Sequence, residues 1–523
     1  MEIKYQILKK WIVLYAAIPI CIFFAGWLNF FSAAVTVALL AALVFFLFSR
    51  NNHAPCKFSS VTLSRRQIVL LAAVALIWCI LAGQGGLMHQ SEDHVIRNKI
   101  FLDMIIEPWP VTYNNEKYML CYYIAHWTVP AIIGKAAFAI TEVQFIGYLV
   151  GNIVLLLWSS AGVFMTLLMI AMITNTGKKV RPVFSAILFI LFSGLDIVIS
   201  LPDISNTDHL EWWALYFQYS SNTTCLFWVY NQTIVTWLIV LCIINELRLS
   251  NLAALGMLVF PFGPFPFVGI VILCVIKGID TGVRYIREKH PISILKEAFS
   301  VQNILGIIAI APVYVLYYKA NIVVSNSVST SSGSRLESGF RIHSVLTECI
   351  DKGDSSGLLN FWTKYLLFIF LEFGIYMIIL MISDILRKKN HDSILLCSTV
   401  ALLIIPLFQL GTSYDFSMRV SIPLLLYICV SVIRLINSEF PERSETNSLN
   451  IFLKGKKLFI AVCFVFFLGI FTPATEFCRE ITSTILYGNA YCTKVVSLES
   501  YDDKYNFAAE EYQNSTFYKL MRK

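Results

Sequence analysis

Residues 68–88 read IVLLAAVALIWCILAGQGGLM, and residues 89–97 read HQSEDHVIR. The first run has the length of about 20 apolar residues that a helix needs to cross a bilayer. The second run is polar and charged, and carboxylates at the end of a membrane helix are costly to place without a functional reason. This junction predicts a membrane scaffold that holds a polar loop, residues 89–144, over a substrate carried by a lipid.

The composition of the whole chain is typical of a polytopic α-helical membrane protein. Of the 523 residues, 57% are hydrophobic and 14% are charged, whereas soluble proteins carry about 25% charged residues. The apolar runs are continuous, which argues against the alternation of a transmembrane β-barrel. The net charge of +7 requires no nucleic acid partner, because lysine and arginine accumulate on the cytoplasmic loops of membrane proteins.

The basic loops predict the orientation of the spans. Every strongly basic loop falls on one side if eleven runs cross the plasma membrane, so that side is predicted to be cytoplasmic, with the N-terminus inside. The transmembrane domain then covers 1–474, and residues 475–523 form a short extracytoplasmic tail. The predicted spans are 11–27, 30–49, 68–88, 145–173, 183–200, 226–246, 303–319, 361–383, 393–410, 418–436 and 458–474.

Two further apolar stretches are predicted not to cross. A span at 119–140 would reverse the side of the next basic loop, so this stretch is predicted to lie on the outer face as interfacial helices. Residues 252–276 contain three prolines and a glycine, which predicts a broken or re-entrant hairpin with halves too short to span alone. Further outer loops are predicted at 201–225 and 320–360.

The thirteen cysteines show no metal-binding spacing, and most lie inside apolar runs, which indicates small core residues. Cys478 and Cys492 are the exception, because both fall in the predicted tail. They could form a disulfide if that tail faces an oxidising compartment. No small-residue cleavage site follows the first apolar run, which is therefore predicted to be a retained helix.

Asp93 and Arg97 stand four residues apart and share one face if the segment is helical. A carboxylate at that place, Asp93 or its neighbour Glu92, can act as a general base toward a hydroxyl group. A nearby Arg97 or His94 can hold a phosphate or orient that carboxylate. The alternative is a helix N-terminus in which residues 91–93 only interact with the helix dipole. Their position just outside a span favours the functional interpretation.

The next outer loop contains Asp208, His209 and Glu211, beside the pair Trp212-Trp213. Oxygen donors suit Mg²⁺ or Mn²⁺, so these three residues are candidate ligands of a divalent cation. The alternative is a solvated loop flanked by interfacial tryptophans. No cofactor is certain from the sequence.

Polar residues at two later span starts are candidate contacts for an anionic donor. Asn231 and Gln232 follow Trp228 near the head of one apolar run, where the alternative is a polar helix start. Arg419 lies one residue into another span and could face inward with Asp415 as its partner, or could extend to the interface. No stretch is long enough for a soluble nucleotide-sugar domain of about 100 residues, so a donor is expected to be lipid-linked.

This layout resembles the GT-C superfamily of membrane glycosyltransferases, which use polyprenyl-phosphate-linked sugars. The resemblance rests on the acidic pair Glu92-Asp93 in the first large outer loop, on Trp228-Val-Tyr-Asn-Gln232, and on residues 414–423. It implies a catalytic base at Asp93 and an arginine near the donor phosphate, for which Arg419 is the best match. The short tail departs from the many members that carry a large C-terminal domain, which leaves the acceptor open.

The sequence leaves rival functions. A transporter or flippase of lipid-linked saccharides would use the hairpin 252–276 as its moving element. Few ionisable residues are predicted within spans and no internal repeat is visible, and both observations argue against transport. In a structural membrane subunit, Asp93, Asp208 and Glu211 would lie on unrelated surfaces.

Overall fold

The structure is a computed structural model of the 523-residue chain. It describes residues 1–49, 55–175, 181–200, 209–328, 338–352, 355–388, 392–410, 414–439, 449–489, 495–500 and 506–521. Within these ranges the chain is mainly helical, and short antiparallel strands join loops that are distant in sequence.

The described chain folds into helices connected by short loops and 3₁₀ turns. The helices are α1 Tyr5–Trp27, α2 Phe30–Phe48, α3 Arg65–Leu81, α4 Glu92–Ile106, α5 Ala125–Thr141, α6 Gln144–Ile173, α7 Pro182–Ile190, α8 Ile197–Ser200, α9 Asn222–Asn245, α10 Leu252–Met257, α11 Pro264–Arg287, α12 Ile292–Ala298, α13 Val301–Val328, α14 Arg341–Lys352, α15 Ser356–Ile369, α16 Ile375–Leu386, α17 Ser393–Ile404, α18 Asp415–Val420, α19 Ile422–Glu439, α20 Leu449–Gly469, α21 Phe471–Tyr487 and α22 Thr516–Met521. The strands are β1 Glu2–Lys4, β2 Ser60–Thr62, β3 Thr112–Tyr113, β4 Tyr118–Leu120, β5 Ser338–Phe340, β6 Phe408–Leu410 and β7 Ala508–Glu510.

Eight helical segments of the described chain are long and apolar enough to cross a membrane, which confirms an all-α membrane protein. Seven of them overlap predicted spans, and the eighth, Pro264–Arg287, comes from the predicted broken hairpin. The count of eleven spans stays a prediction. The segments are Tyr5–Trp27, Phe30–Phe48, Gln144–Ile173, Asn222–Asn245, Pro264–Arg287, Ile292–Asn321, Ser356–Leu386 and Lys457–Tyr487.

Four predicted spans form shorter helices than expected. After α3, Gly83 (φ 74°) and Gly85 (φ 82°) adopt left-handed backbone, so the helix ends at Leu81. The nine-residue helix α7 ends at Ile190, before a segment in which Gly194 packs directly against Glu372. The four spans concerned are 68–88, 183–200, 393–410 and 418–436.

The stretch 252–276 is broken, as its prolines predict, but one half is long. The six-residue helix α10 and a 3₁₀ turn come first, and α11 then begins after Gly263. Pro264 occupies the first turn of α11, where a missing N–H costs nothing. The expectation that both halves are too short to span is therefore wrong, because α11 runs for 24 residues.

The loops predicted on each side of the membrane also contact one another in the structure. On the predicted outer side, β4 pairs with β7 and β5 pairs with β6. On the predicted cytoplasmic side, β1 pairs with β2, and the backbone near Cys56 pairs with Glu246. Helix α9 connects the two sides, and 94% of the residues in its most apolar stretch are buried. It forms the centre against which both sets of loops are placed.

The described C-terminal part, predicted to be a short tail from residue 475, contains helices and a strand that pack against the rest of the chain. Helix α21 continues the last apolar segment to Tyr487, well past residue 475. Farther along, β7 joins the sheet of the first outer loop, and the ring of Phe507 lies 5.1 Å from that of Tyr122. Cys478 is exposed in α21, whereas Cys492 and its predicted disulfide lie outside the described residues.

Candidate functional site

Asp93 and Arg97 form an ion pair on the first turns of α4. The Arg97 Nη2 lies 2.7 Å from Asp93 Oδ2. The Arg97 side chain is 4% exposed, whereas that of Asp93 is 42% exposed. The sequence spacing predicts this shared helix face. The carboxylate is therefore open to a ligand while its cation is held inside the protein.

Arg419 and Asp415 repeat this arrangement on α18. The Arg419 Nη1 lies 3.1 Å from Asp415 Oδ2, and the arginine is again the more buried partner. The predicted partnership of these two residues is confirmed. The Arg419 Nε is buried and has no hydrogen-bond partner within the described part of the chain. One donor of this guanidinium is thus left for another group.

The structure brings the two ion pairs together around two tyrosines. Arg419 interacts electrostatically with Asp415, with the phenols of Tyr123 and Tyr122, and with Asp93. The same two phenols interact electrostatically with Arg97. We define the Asp93–Arg419 cluster as Asp93, Arg97, Tyr122, Tyr123, Asp415 and Arg419. Asp93 and Arg419, far apart in sequence, therefore lie within electrostatic reach of one another.

Helix α9 supplies one wall of this region. The helix begins at Asn222, capped by the Ser221 hydroxyl, four residues before the predicted start of the span at 226. A break falls at Val229 (φ −139°, ψ 37°), and Arg97 donates a hydrogen bond to the carbonyl of Trp228. One residue past the break, the ring of Tyr230 stacks on His94.

Asn231 and Gln232 follow that break and are buried. Both polar atoms of the Asn231 side chain lack a partner among the described residues, as does Nε2 of Gln232. The Gln232 side chain lies against Gly263, where a β-carbon would be 2.7 Å from its Oε1. Buried amides without partners are expensive, so these two side chains have hydrogen-bonding capacity for a ligand.

The structure does not bring all predicted residues into this cluster. His94 is 2% exposed, and burial lowers its pKa to about 3, so it is a neutral ring and not a cation for phosphate. The ring of Tyr230, which stacks on His94, contributes to this burial. Glu92 is exposed at the start of α4, outside the Asp93–Arg419 cluster. Its position fits the alternative interpretation of a charge at a helix N-terminus.

Two of the three predicted metal ligands, His209 and Glu211, have other partners. Asp208 lies outside the described residues. Glu211 is buried and accepts hydrogen bonds from Gln218, Ser220, Thr224 and the backbone of Ser221. Within the described ranges, no three His, Cys, Asp or Glu side chains are grouped so that they could hold a metal ion.

His209 and Glu211 belong instead to a network that the sequence analysis missed. His209 Nδ1 lies 2.7 Å from Glu476 of α21, and burial raises the pKa of Glu211. Burial alone would lower the pKa of His209. The negative charges of Glu476 and Glu211 have the larger effect, so the pKa of His209 is raised. We define the α21 network as His89, His209, Glu211, Glu476, Arg479 and Glu480. The signal in the sequence is the spacing of Glu476, Arg479 and Glu480 beside apolar residues, which places three charges on one helix face.

The chain was compared with protein-family models, curated proteins and solved structures. None of the three comparisons finds a match.

The geometry alone thus defines the chemistry of the site. Two half-exposed carboxylates lie beside two buried guanidinium groups, so a base and an anion-binding group occur together. The phenol groups of Tyr122 and Tyr123, whose ring centroids are 3.7 Å apart, interact electrostatically with both guanidinium groups. This arrangement can accept a proton on one side and stabilise negative charge on the other.

Proposed function

We propose that the protein is a membrane glycosyltransferase that transfers a sugar from a polyprenyl-phosphate donor to a hydroxyl group of an extracytoplasmic glycan, lipid or other acceptor. The observation that carries the proposal is the proximity of a half-exposed carboxylate, Asp93, to the buried Arg419. Transfer from a lipid phosphate needs both a base for the acceptor and a cation for the leaving phosphate.

In this mechanism Asp93 removes the proton from the acceptor hydroxyl. The acceptor oxygen forms a bond to C1 of the sugar while the bond between C1 and the phosphate oxygen breaks, and the configuration at C1 inverts. Arg419 stabilises the negative charge on the departing polyprenyl phosphate. Arg97 keeps the Asp93 carboxylate oriented through its 2.7 Å contact.

The unpartnered polar atoms near the cluster support a bound donor. Arg419 Nε, Gln232 Nε2 and both polar atoms of Asn231 are buried without partners among the described residues. Such atoms cost about 1–3 kcal/mol each when unsatisfied. A phosphate or a sugar hydroxyl would satisfy them. Lateral entry of the donor from the bilayer fits a chain with eight segments able to span it.

The test is sugar transfer by purified protein that is given polyprenyl-phosphate sugars and native lipid extract. Release of polyprenyl phosphate is measured for the wild type and for Asp93→Asn. We expect the variant to lose roughly 100- to 10,000-fold in rate, the range for removal of a general base. Retained activity in a folded Asp93→Asn protein would exclude Asp93 as the base.

Glu92→Gln is the matched control, because it removes an exposed carboxylate one residue away. It should retain transfer, since Glu92 lies outside the cluster. Arg419→Ala should mainly raise the KM for the donor. An unchanged donor KM would contradict the phosphate-binding role of Arg419.

A second candidate function is a flippase of lipid-linked saccharides. One observation favours it: buried carboxyl groups do occur within the spanning segments, at Glu372, Glu476 and Glu480. The carboxyl groups of Glu372 and Asp196 interact electrostatically with one another. Reconstituted vesicles separate the functions, because a flippase moves the lipid-linked saccharide without releasing polyprenyl phosphate.

A further inference from the structure

Arg97, the partner of Asp93, is fixed to the backbone of α9. In a regular helix the carbonyl of Trp228 would accept a hydrogen bond from the N–H four residues later. The backbone departs from helical geometry at Val229, and the carbonyl of Trp228 accepts a hydrogen bond from Arg97 Nη1. The position of the Asp93–Arg97 pair therefore depends on where Trp228 lies.

The side chain of Trp228 is in turn held by α21. Its indole N–H donates to Glu476 Oε2 at 3.1 Å. The guanidinium of Arg479 lies over the indole ring at 5.1 Å, and the ring of His209 lies 5.4 Å away. The backbone of this one tryptophan thus contacts the proposed catalytic pair, while its ring contacts the α21 network.

Glu476 is the residue on which these contacts converge. It is 1% exposed, and its carboxylate receives His209 Nδ1 at 2.7 Å and both terminal nitrogens of Arg479, at 3.2 and 2.6 Å. Its oxygens are fully used by protein partners, in contrast to Asn231. A site with no spare hydrogen-bonding capacity is suited to holding neighbouring groups in place and not to binding a ligand.

A second contact from the same helix reaches the beginning of α4. Glu480 Oε2 lies 3.0 Å from His89 Nδ1, and the backbone N–H of His89 donates to the hydroxyl of Thr484. His89 lies just before the first turn of α4, which carries Asp93. Helix α21 therefore holds the Asp93–Arg97 pair from two directions, one of them through Trp228.

We propose that Glu476 is a positioning residue for the Asp93–Arg97 pair and acts through Trp228. The inference rests on the proposed function for its kinetic consequences. Glu476 does not contact the acceptor or the donor. It holds the indole, and the indole fixes the carbonyl that orients Arg97. A displacement of the base by about 1 Å can lower a catalysed rate about 100-fold.

The test compares steady-state transfer by Glu476→Gln, Trp228→Phe and the double variant. Glutamine keeps the size of Glu476 but removes its charge. Phenylalanine keeps one aromatic ring at position 228 but removes the indole N–H. Each single variant should lower kcat about 10- to 100-fold with the donor KM nearly unchanged. The double variant should lose no more than the worse single one, because both changes interrupt one connection.

The control is Thr475→Val, a change on the exposed side of the same helix. It should leave kcat unaltered. If kcat per folded molecule is unchanged in Glu476→Gln and only the melting temperature falls, Glu476 is merely structural and the proposal is overturned. Independent, multiplying losses in the double variant would also overturn it.

Hydrogen exchange gives a readout that does not depend on transfer. Glu476→Gln should increase deuterium uptake in residues 89–100 and 226–232, while residues 292–298 at the distant α12 stay unchanged. Unchanged uptake at 89–100 would contradict the positioning role. If the wild type transfers no sugar, the proposed function fails, and the exchange result then decides the positioning role by itself.

Discussion

Helix α9 contributes to two buried polar clusters of opposite character, one at its C-terminal end and one just after the break at Val229. At the end predicted to be cytoplasmic, Glu246 accepts from Tyr5 at 2.9 Å, from Lys9 at 2.6 Å and from Asn251 at 3.3 Å. Lys277 donates to the last carbonyls of the helix. We call these five residues the Glu246 cluster. None of their side-chain atoms is among the buried unpartnered atoms of the described chain.

The second cluster, formed by Asn231 and Gln232 just after the break in α9 and by Arg419 of α18, is incomplete. Asn231, Gln232 and Arg419 all keep buried polar atoms without partners among the described residues. The two clusters have similar burial and similar residue types, so neither property distinguishes them. The two clusters differ in whether their buried polar atoms have hydrogen-bond partners. A complete cluster holds helices together, whereas an incomplete one stores hydrogen-bonding capacity that a ligand can use.

The largest expected effect is on the complete cluster. Glu246→Leu leaves the buried Lys9 without its acceptor and should lower the free energy of unfolding by about 3–5 kcal/mol. Thermal unfolding in detergent measures this loss. The exposed Glu288→Leu is the control and should stay within about 0.5 kcal/mol of the wild type. A stable Glu246→Leu protein would remove the contrast between the two clusters.

A substitution of Asp103 should have an effect of intermediate size on stability. One oxygen accepts from the backbone of Leu498 at 2.9 Å, and burial raises the pKa of Asp103 to about 6 from 3.8. The folded state therefore binds the proton more tightly, and stability is lost as the pH rises from about 4 through about 6. Asp103→Asn should be more stable than the wild type at pH 8 by about 3 kcal/mol. The gain should vanish below pH 4. Unfolding midpoints of the variant and the wild type, measured across this pH range, check the prediction. A variant that is less stable than the wild type at pH 8 would contradict it.

The smallest expected effect concerns the incomplete cluster. Asn231→Leu replaces an amide without partners by an apolar side chain of similar shape, so the ligand-free protein should gain about 1–3 kcal/mol. The same variant should bind the donor more weakly. Melting temperatures with and without polyprenyl phosphate check both statements. Destabilisation of the ligand-free protein would indicate that Asn231 is satisfied in the fold.

The sequence predicts pairs that lie close along the chain better than clusters assembled from distant segments. The spacing of Asp93 with Arg97, and of Asp415 with Arg419, is enough to predict both ion pairs. The α21 network depends on His89 and His209 reaching a helix far along the chain, and local spacing carries no information on that contact.

The errors of the sequence analysis have the same origin. Hydropathy alone does not show that Gly83 ends α3, nor that the prolines after Gly263 begin a full helix and do not end one. His94 is a plausible phosphate ligand by residue type. Only packing against Tyr230 shows that it is a buried neutral ring.

The central claim is that the incomplete cluster recognises the phosphate of a polyprenyl lipid. The most direct test is the melting temperature of the purified protein titrated with polyprenyl phosphate, in parallel with polyprenol, which lacks the phosphate. The account predicts saturable stabilisation by polyprenyl phosphate, little by polyprenol, and loss of the difference in Arg419→Gln. Equal stabilisation by both lipids, or an unchanged response in Arg419→Gln, would contradict it.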